Sequence, residues 1–185
     1  MKCSASFVTP LRMLWLTLPF LSASVLATDV RDQGHGKVSM QGAIIDTPCA
    51  IKVDSRDQVI DLITLPLDQI ISTGVGPSKS FSIHLVNCAL EPMLPNHPDW
   101  SHFRVTFDGA ITDGTLFALG GEARGIGLEI MDAAGNRMQP GIASSEGQIL
   151  PGAMRLDYSL RLVGNHQKLR AGAYQTTVRF KLDYF

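Results

Sequence analysis

Two cysteines, Cys49 and Cys88, and five histidines, His35, His84, His97, His102 and His166, are the side chains here whose chemistry could hold a metal or serve a nucleophile. A metal needs three or four ligands brought together, and the sequence contains neither Cys-x-x-Cys nor His-x-x-x-His spacing. His84 stands in alternation with Phe81, Ile83 and Leu85 and is expected to face outward, while His97 and His102 lie in or beside a proline-rich loop. Gly120, Gly121, Gly125 and Gly127 imitate a phosphate-binding loop, but no Lys-Ser or Lys-Thr follows and the next residues alternate as a strand does. A bulged or tightly packed turn is the expectation there. No Gly-x-Ser-x-Gly elbow and no catalytic carboxylate pair stands out. The reading is a protein without catalytic residues, metal or cofactor.

The chemistry left for the cysteines is a disulfide, and it depends on compartment. Lys2 and Arg12 open the chain, Met13 to Leu26 is mostly apolar, and Val25-Leu26-Ala27 suits cleavage. This pattern predicts a secretory signal over residues 1–27. The apolar run is short for a membrane anchor and is interrupted by Pro19 and several Ser or Thr. Cys3 precedes the apolar run and leaves with the signal. In the exported remainder, Cys49 and Cys88 form an even pair, and a disulfide between them is expected. Removing 27 of 185 residues leaves 158, enough for one domain with a core of its own. Losing Lys2 and Arg12 moves the formal charge from −1 to −3, without the basic surplus of a nucleic-acid binder.

The elements that must carry these residues read as strands. Alternation is clear in 37–46, in Phe81, Ile83 and Leu85, in Phe103, Val105 and Phe107, and in Ile126, Leu128 and Ile130. Leu156, Tyr158, Leu160 and Leu162 repeat it, and Val59 to Leu65 is a short apolar run. Gly74 to Ser78, Glu91 to Asp99 and Gln139 to Gly152 carry turn chemistry. Leu67 to Ser72 is expected to make one helical turn at most. Short strands at this spacing predict an all-β sandwich of immunoglobulin type.

The two ends of the chain complement each other. Gly172 to Phe185 places Tyr174, Val178, Phe180, Leu182 and Tyr184 on one face, with Gln175, Thr177, Arg179, Lys181 and Asp183 between them. It predicts a long amphipathic strand whose outer edge nothing later in the sequence covers, an invitation to pair with another chain. Residues 28–36 are polar and glycine-containing and run into Val38, Met40, Gly42 and Ile44 at alternate positions. A free amphipathic tail and an unpaired edge imply head-to-tail strand addition, a contact that does not close and therefore builds fibres.

Three segments carry a family resemblance: Gly36-Lys-Val-Ser-Met-Gln-Gly-Ala-Ile-Ile-Asp-Thr-Pro-Cys49, Leu85-Val-Asn-Cys88, and a C-terminal motif with Tyr184 penultimate and Gly172 fourteenth from the end. The chain resembles pilin subunits of the chaperone–usher fimbrial family over essentially all of its exported part. The resemblance implies an incomplete, six-stranded immunoglobulin-like β-sandwich lacking its last strand, with a donor-strand extension. It divides the chain into signal 1–27, extension 28–45 and pilin domain 46–185. Val38, Met40, Gly42 and Ile44 would enter a neighbouring pilin. Gly172, Tyr174, Val178, Phe180, Leu182 and Tyr184 would line the acceptor groove, and Phe185 would carry the carboxylate that a periplasmic chaperone anchors. The implied partners are that chaperone, an outer-membrane usher and neighbouring pilin subunits, on a route through the periplasm to a cell-surface fimbrium. Phe103 to Gly109, Arg124 to Ile130, Leu156 to Leu162 and Leu169 to Tyr174 are similar to the terminating, base-anchoring subunits of P-type pili. That makes a terminator the alternative to an ordinary minor subunit. A free-standing periplasmic immunoglobulin-like binding protein is the other alternative, and it would carry a complete sandwich.

Overall fold

A computed structural model of the protein describes residues 37–42 and 45–185. The predicted signal segment, most of the predicted extension and Ile44 lie outside the described residues. The chain divides into two units, Met1–Gly42 and Ala43–Phe185. In the first, residues 37–42 have neither helix nor strand geometry, and Val38 and Met40 are 86% and 89% exposed.

The second unit is built of strands, as the alternation predicts. In chain order it contains β1 (Ala50–Ile51), α1 (Val53–Arg56), α2 (Leu67–Thr73), β2 (Lys79–Cys88), β3 (His102–Asp108), β4 (Ile111–Thr112), β5 (Leu116–Phe117) and β6 (Gly120–Gly121). It continues with β7 (Ile126–Asp132), β8 (Arg137–Met138), β9 (Gly147–Gln148), β10 (Gly152–Gly164), β11 (Tyr174–Gln175) and β12 (Arg179–Tyr184). One antiparallel sheet runs in the order β1-β2-β10-β7-β5-β4, with β8 against β7. A smaller one runs β12-β3-β9, and β11 pairs with β6.

Alternation decides which side chains are buried. Ile83 and Leu85 of β2, Val105 and Phe107 of β3, Leu128 and Ile130 of β7, and Leu160 and Leu162 of β10 belong to one core cluster. Aromatic rings join the two sheets across it. Tyr158 of β10 stacks on Phe81 of β2 at 5.5 Å, and Phe107 of β3 meets Tyr158 edge-on at 5.0 Å. Such pairs add roughly 0.5–1.5 kcal/mol each beyond burial. Cys49 and Cys88 are disulfide-bonded, tying the start of this unit to the end of β2.

Several expectations are corrected. Val59 to Leu65 forms no ladder: Ile60, Leu62 and Leu65 rest against the core while Val59 and Ile63 are exposed. Leu67 to Thr73 is a full seven-residue helix, longer than one turn. Gly74 ends it in the left-handed conformation, φ 74°, and donates its N–H to the Ile70 carbonyl at 2.9 Å, a closure that suits glycine. The short helix α1 was not foreseen. It ends the pairing begun by β1 and substitutes side chains for a strand along the edge of β2. There the His84 N–H donates to Ser55 Oγ at 3.0 Å and Gln58 Nε2 donates to the Ser82 carbonyl at 3.0 Å. His84 is therefore half-buried against Ser55 rather than free on the surface.

The sheet also hides a carboxylate that the sequence does not announce. Glu129 sits mid-way along β7 with its side chain 1% exposed, between Arg161 of β10 at 2.6 Å and Arg137 of β8. A buried carboxylate needs such partners, because removing one side of a buried pair leaves an uncompensated group. Glu129→Ala removes the charged hydrogen bonds to two arginines that reach water, and is expected to lower stability by about 1.5–3 kcal/mol. Arg137→Ala, whose side chain is half-exposed, should cost clearly less. Guanidinium denaturation midpoints of the two variants check the order.

Candidate strand-acceptor edge

β12 is where the smaller sheet ends. It pairs antiparallel with β3 in a register running from Arg179↔Asp108 to Tyr184↔Phe103, and among the described residues β3 is its one ladder partner. The parity of that ladder is set at its end. The Phe185 N–H donates to the His102 carbonyl at 3.1 Å, and the His102 N–H donates to the Phe185 carbonyl at 2.9 Å. Bonded pairs alternate in an antiparallel ladder, so Asp183, Lys181 and Arg179 also turn their backbone groups toward β3. Phe180, Leu182 and Tyr184 turn theirs to the open edge.

The same three residues carry the apolar face. Burial along β12 alternates between exposed Arg179, Lys181 and Asp183 and half-buried Phe180, Leu182 and Tyr184. All three half-buried side chains pack on the core cluster, with Phe180 centred 6.2 Å from Phe107. The charged face is self-compensated: Lys181 pairs with Asp183 at 2.9 Å and Arg179 with Asp108 at 3.5 Å. Burial raises the ionisation point of Tyr184, and its hydroxyl is enclosed without a hydrogen-bond partner among the described residues. Phe185 is 44% exposed, stacked at 6.3 Å on His102, with the Arg104 guanidinium 5.1 Å above its ring. Its backbone oxygen also accepts from the Ser101 N–H at 3.1 Å.

The upstream half of the C-terminal motif behaves differently from the single strand expected. Regular pairing breaks over Thr176 to Val178, where Thr176 Oγ1 donates to the Ala118 carbonyl at 2.9 Å. Tyr174 belongs to β11 and pairs with Gly121. Burial raises its ionisation point as well. Gly172 lies outside any strand, and a Cβ there would come within 2.6 Å of Glu122 Cβ. Its glycine is a matter of close backbone approach, since Glu122 N–H and Ala123 N–H both donate to the neighbouring Ala173 carbonyl. Of the four glycines that imitate a phosphate loop, Gly120 and Gly121 lie against Gln175 and Ala173, Gly125 against the backbone of Leu169, and Gly127 against Thr112 and Leu116; Gly121 and Gly125 have φ of 112° and 81°. Among the described residues no three His, Cys, Asp or Glu side chains cluster as a metal site. No described helix is long and apolar enough to cross a membrane.

Known proteins supply the family. The chain is 33% identical over 150 residues to the PRS fimbrial minor pilin protein of Escherichia coli, covering 80% of this chain and 77% of that protein. It belongs to the fimbrial pilin family. No family model matches the chain. Its fold is that of the P pilus rod subunit PapA, with a TM-score of 0.66 at 21% identity over 75% of the pilin and all of that subunit. The subunit of a chaperone–usher pilus is similar, with a TM-score of 0.65 at 24% identity over 83% of the pilin and 97% of that chain. This pilin is accordingly a structural subunit of a surface-displayed pilus, built on an immunoglobulin-like sandwich.

Two measurements test the geometry around the edge. Burial, with a smaller contribution from the Asp132 charge, pushes the Tyr158 phenol up to about 12 from its ordinary 10.0. An unfolded tyrosine ionises near 10, so the unfolded state binds fewer protons between these values. The stabilisation is complete below pH 10 and is lost as pH rises toward 12, at about 1.4 kcal/mol per pH unit. Tyrosinate absorbance at 295 nm, followed with Tyr158→Phe as reference, reads this directly. Gly172→Val should cost about 1–3 kcal/mol through overpacking against Glu122 and Ala123. A melting temperature equal to that of the unsubstituted protein would contradict the close approach.

Proposed function

We propose that this pilin is a minor subunit of a chaperone–usher fimbria, polymerised by exchange of β-strands between subunits, with no catalytic step. The observation that carries the reading is β12: among the described residues it has one ladder partner, three half-exposed apolar side chains, and the backbone groups of those residues facing outward. An added strand would satisfy the backbone and cover the apolar face together, which is the strand-addition mode of recognition. Phe180, Leu182 and Tyr184 are the central acceptor residues in this reading, with Val178 at their upstream end. Tyr174 and Gly172 shape the approach from the β6 side. A periplasmic chaperone would occupy the edge first and hold Phe185, and a neighbouring pilin's extension would replace it at an outer-membrane usher.

The donor in the other direction is the extension 28–45, following a signal over 1–27 and preceding the pilin domain 46–185. Val38 and Met40 are exposed apolar residues in alternate positions, which supports their insertion elsewhere; Ile44 and Gly42 complete the pattern. Three buried side chains of this kind contribute about 5–9 kcal/mol gross. The bonds made by the paired backbones add roughly 0.5–1.5 kcal/mol each.

Leu182→Asp places a charge on the face that the incoming strand must cover. It is expected to abolish acceptance of a strand at this edge, the chaperone's included, so the variant would be lost from fibres. Lys181→Ala, on the outward face, should incorporate normally. Immunoblots of fibres sheared from cells, with folded subunit in the periplasm as control, decide the matter. Normal chain extension beyond Leu182→Asp subunits would remove β12 as the acceptor. A subunit that refuses every donor strand even when unsubstituted would be a terminator.

A further inference from the structure

Met93 and Leu94 stand side by side in water, 89% and 57% exposed, in the loop between β2 and β3. Apolar residues in a free loop ordinarily fold back onto the body, and here the backbone resists it. Pro92, Pro95 and Pro98 fix φ at three positions, and Asn96 turns through the left-handed region at φ 67°. The Trp100 N–H closes the base of the loop on the Leu90 carbonyl at 2.8 Å. Glu91 and Asp99 flank the tip, both exposed, and neither makes an ion pair among the described residues.

A cleft of about 550 Å³ lies at the other end of the sandwich, between α2, the β4–β5 turn and the end of β10. Ile70, Leu116, Val163 and Leu169 form its floor, and Ile71, 66% exposed, forms its lip. Clefts of about 300–1,000 Å³ are large enough to enclose several side-chain-sized groups. The surround is basic. Lys168 stands between two lining residues, Gln167 and Leu169, and Arg124 and Arg170 exchange backbone hydrogen bonds at 3.0 and 3.1 Å, which sets their side chains on one side. None of these three cations pairs with a carboxylate among the described residues; Arg124 donates to the Gly121 carbonyl at 2.6 Å, which leaves its charge uncompensated. β2 connects the two features. Its Cys88 end leads into the loop, and the chain before its Lys79 end is held beside the cleft by the Gly76 N–H, which donates to the Leu162 carbonyl at 2.8 Å. The 10 residues of β2 set about 30 Å between them.

We infer that the Met93–Leu94 tip of one copy docks in the cleft of the next, a second contact between neighbouring pilins beside the exchanged strand. Tip and cleft lie at opposite poles, so they cannot meet within one molecule. Between copies they repeat head to tail without closing. Acidic flanks then meet a basic surround, and two exposed apolar side chains gain an apolar floor. The contact rests on the strand-exchange reading for what brings the copies together. The extension joins the body at Asp46, whose carboxylate accepts from the Met93 N–H at 3.0 Å, so the tip stands where the donated strand leaves its own pilin. β12 ends against Ser101 and His102, at the base of the loop, and its start therefore lies toward the cleft. Every described ladder is antiparallel, and an extension added to β12 in that sense delivers the donor's body to this pole with its loop foremost. A loop already stiffened by proline loses little freedom on docking. The consequence is a fixed angle between neighbours, where a shared strand alone leaves the bodies free to swivel.

Exported pilin, residues 28–185, carrying both Leu94→Cys and Ile71→Cys is refolded at high concentration and its oligomers are isolated by gel filtration. They are treated with a short bis-maleimide, boiled in denaturant and run on a gel. Each copy should be linked to the next, giving a ladder of dimers, trimers and higher species. The two single variants, and Leu94→Cys combined with Ile142→Cys, are expected to run as monomers. All three positions are exposed, so folding is not at risk. Oligomers that form normally but show no ladder overturn the docking and leave strand exchange standing, whereas unsubstituted pilin that forms no oligomers overturns both. Adding Lys168→Glu with Arg170→Glu should cut the linked fraction about tenfold, and further adding Glu91→Lys with Asp99→Lys should restore it. A ladder indifferent to both charge changes would refute the pairing of this tip with this cleft.

Discussion

A β-strand at the end of a sheet keeps half of its backbone donors and acceptors, and those groups must be matched before the strand's apolar face can be covered. In this pilin the constraint falls on β12, where Phe180, Leu182 and Tyr184 present both the half-exposed side chains and backbone groups unmatched among the described residues. Covering them with side chains alone would bury N–H and C=O groups without partners, at about 1–3 kcal/mol for each. A covering element therefore has to bring a backbone of its own. That requirement favours a strand over a helix or a loop, and it makes register part of the recognition.

The rest of the sandwich holds this edge in place. β10 is the central strand of the larger sheet and supplies Tyr158 to the aromatic cluster that supports Phe107 and, through it, Phe180. Glu129, held by Arg137 and Arg161, ties β7, β8 and β10 together on the opposite face of that sheet. The disulfide fixes the end of β2 to the residues that precede β1. An edge supported in this way loses little conformational freedom when a strand is added, and less of the binding energy is spent on ordering it.

Side chains also substitute for strand pairing elsewhere, and the contrast is informative. Along β2, Ser55 and Gln58 bond directly to backbone groups of His84 and Ser82 where β1 leaves off. That edge is closed by the pilin's own residues, while β12 has no such closure among the described residues. The smaller sheet's other side is likewise attended to, by β9 and by the Ser144 N–H, which donates to the Val105 carbonyl at 2.8 Å.

The sequence by itself determined the class of fold, the apolar face of the long strands and the pairing of Cys49 with Cys88. Period-two alternation and an even cysteine count are local signals, and burial follows the alternation in β2 and along the inner half of β10, while in β3 and β7 the apolar residues are buried but so are Thr106 and Glu129 between them. The C-terminal alternation was legible too, but its division into β11 and β12 was not, because the partners that split it, Gly121 and Asp108, lie more than fifty residues away. For the same reason the apolar run 59–65 read as a strand: its composition allows a ladder, and only the arrangement of neighbours withholds one. The Glu129 cluster gave no signal, since a charge in a strand ordinarily faces water and its two arginines come from different strands. Which backbone groups of β12 remain open is decided by tertiary structure alone, because hydrogen-bond parity is a property of the β12–β3 pair and no single segment contains it.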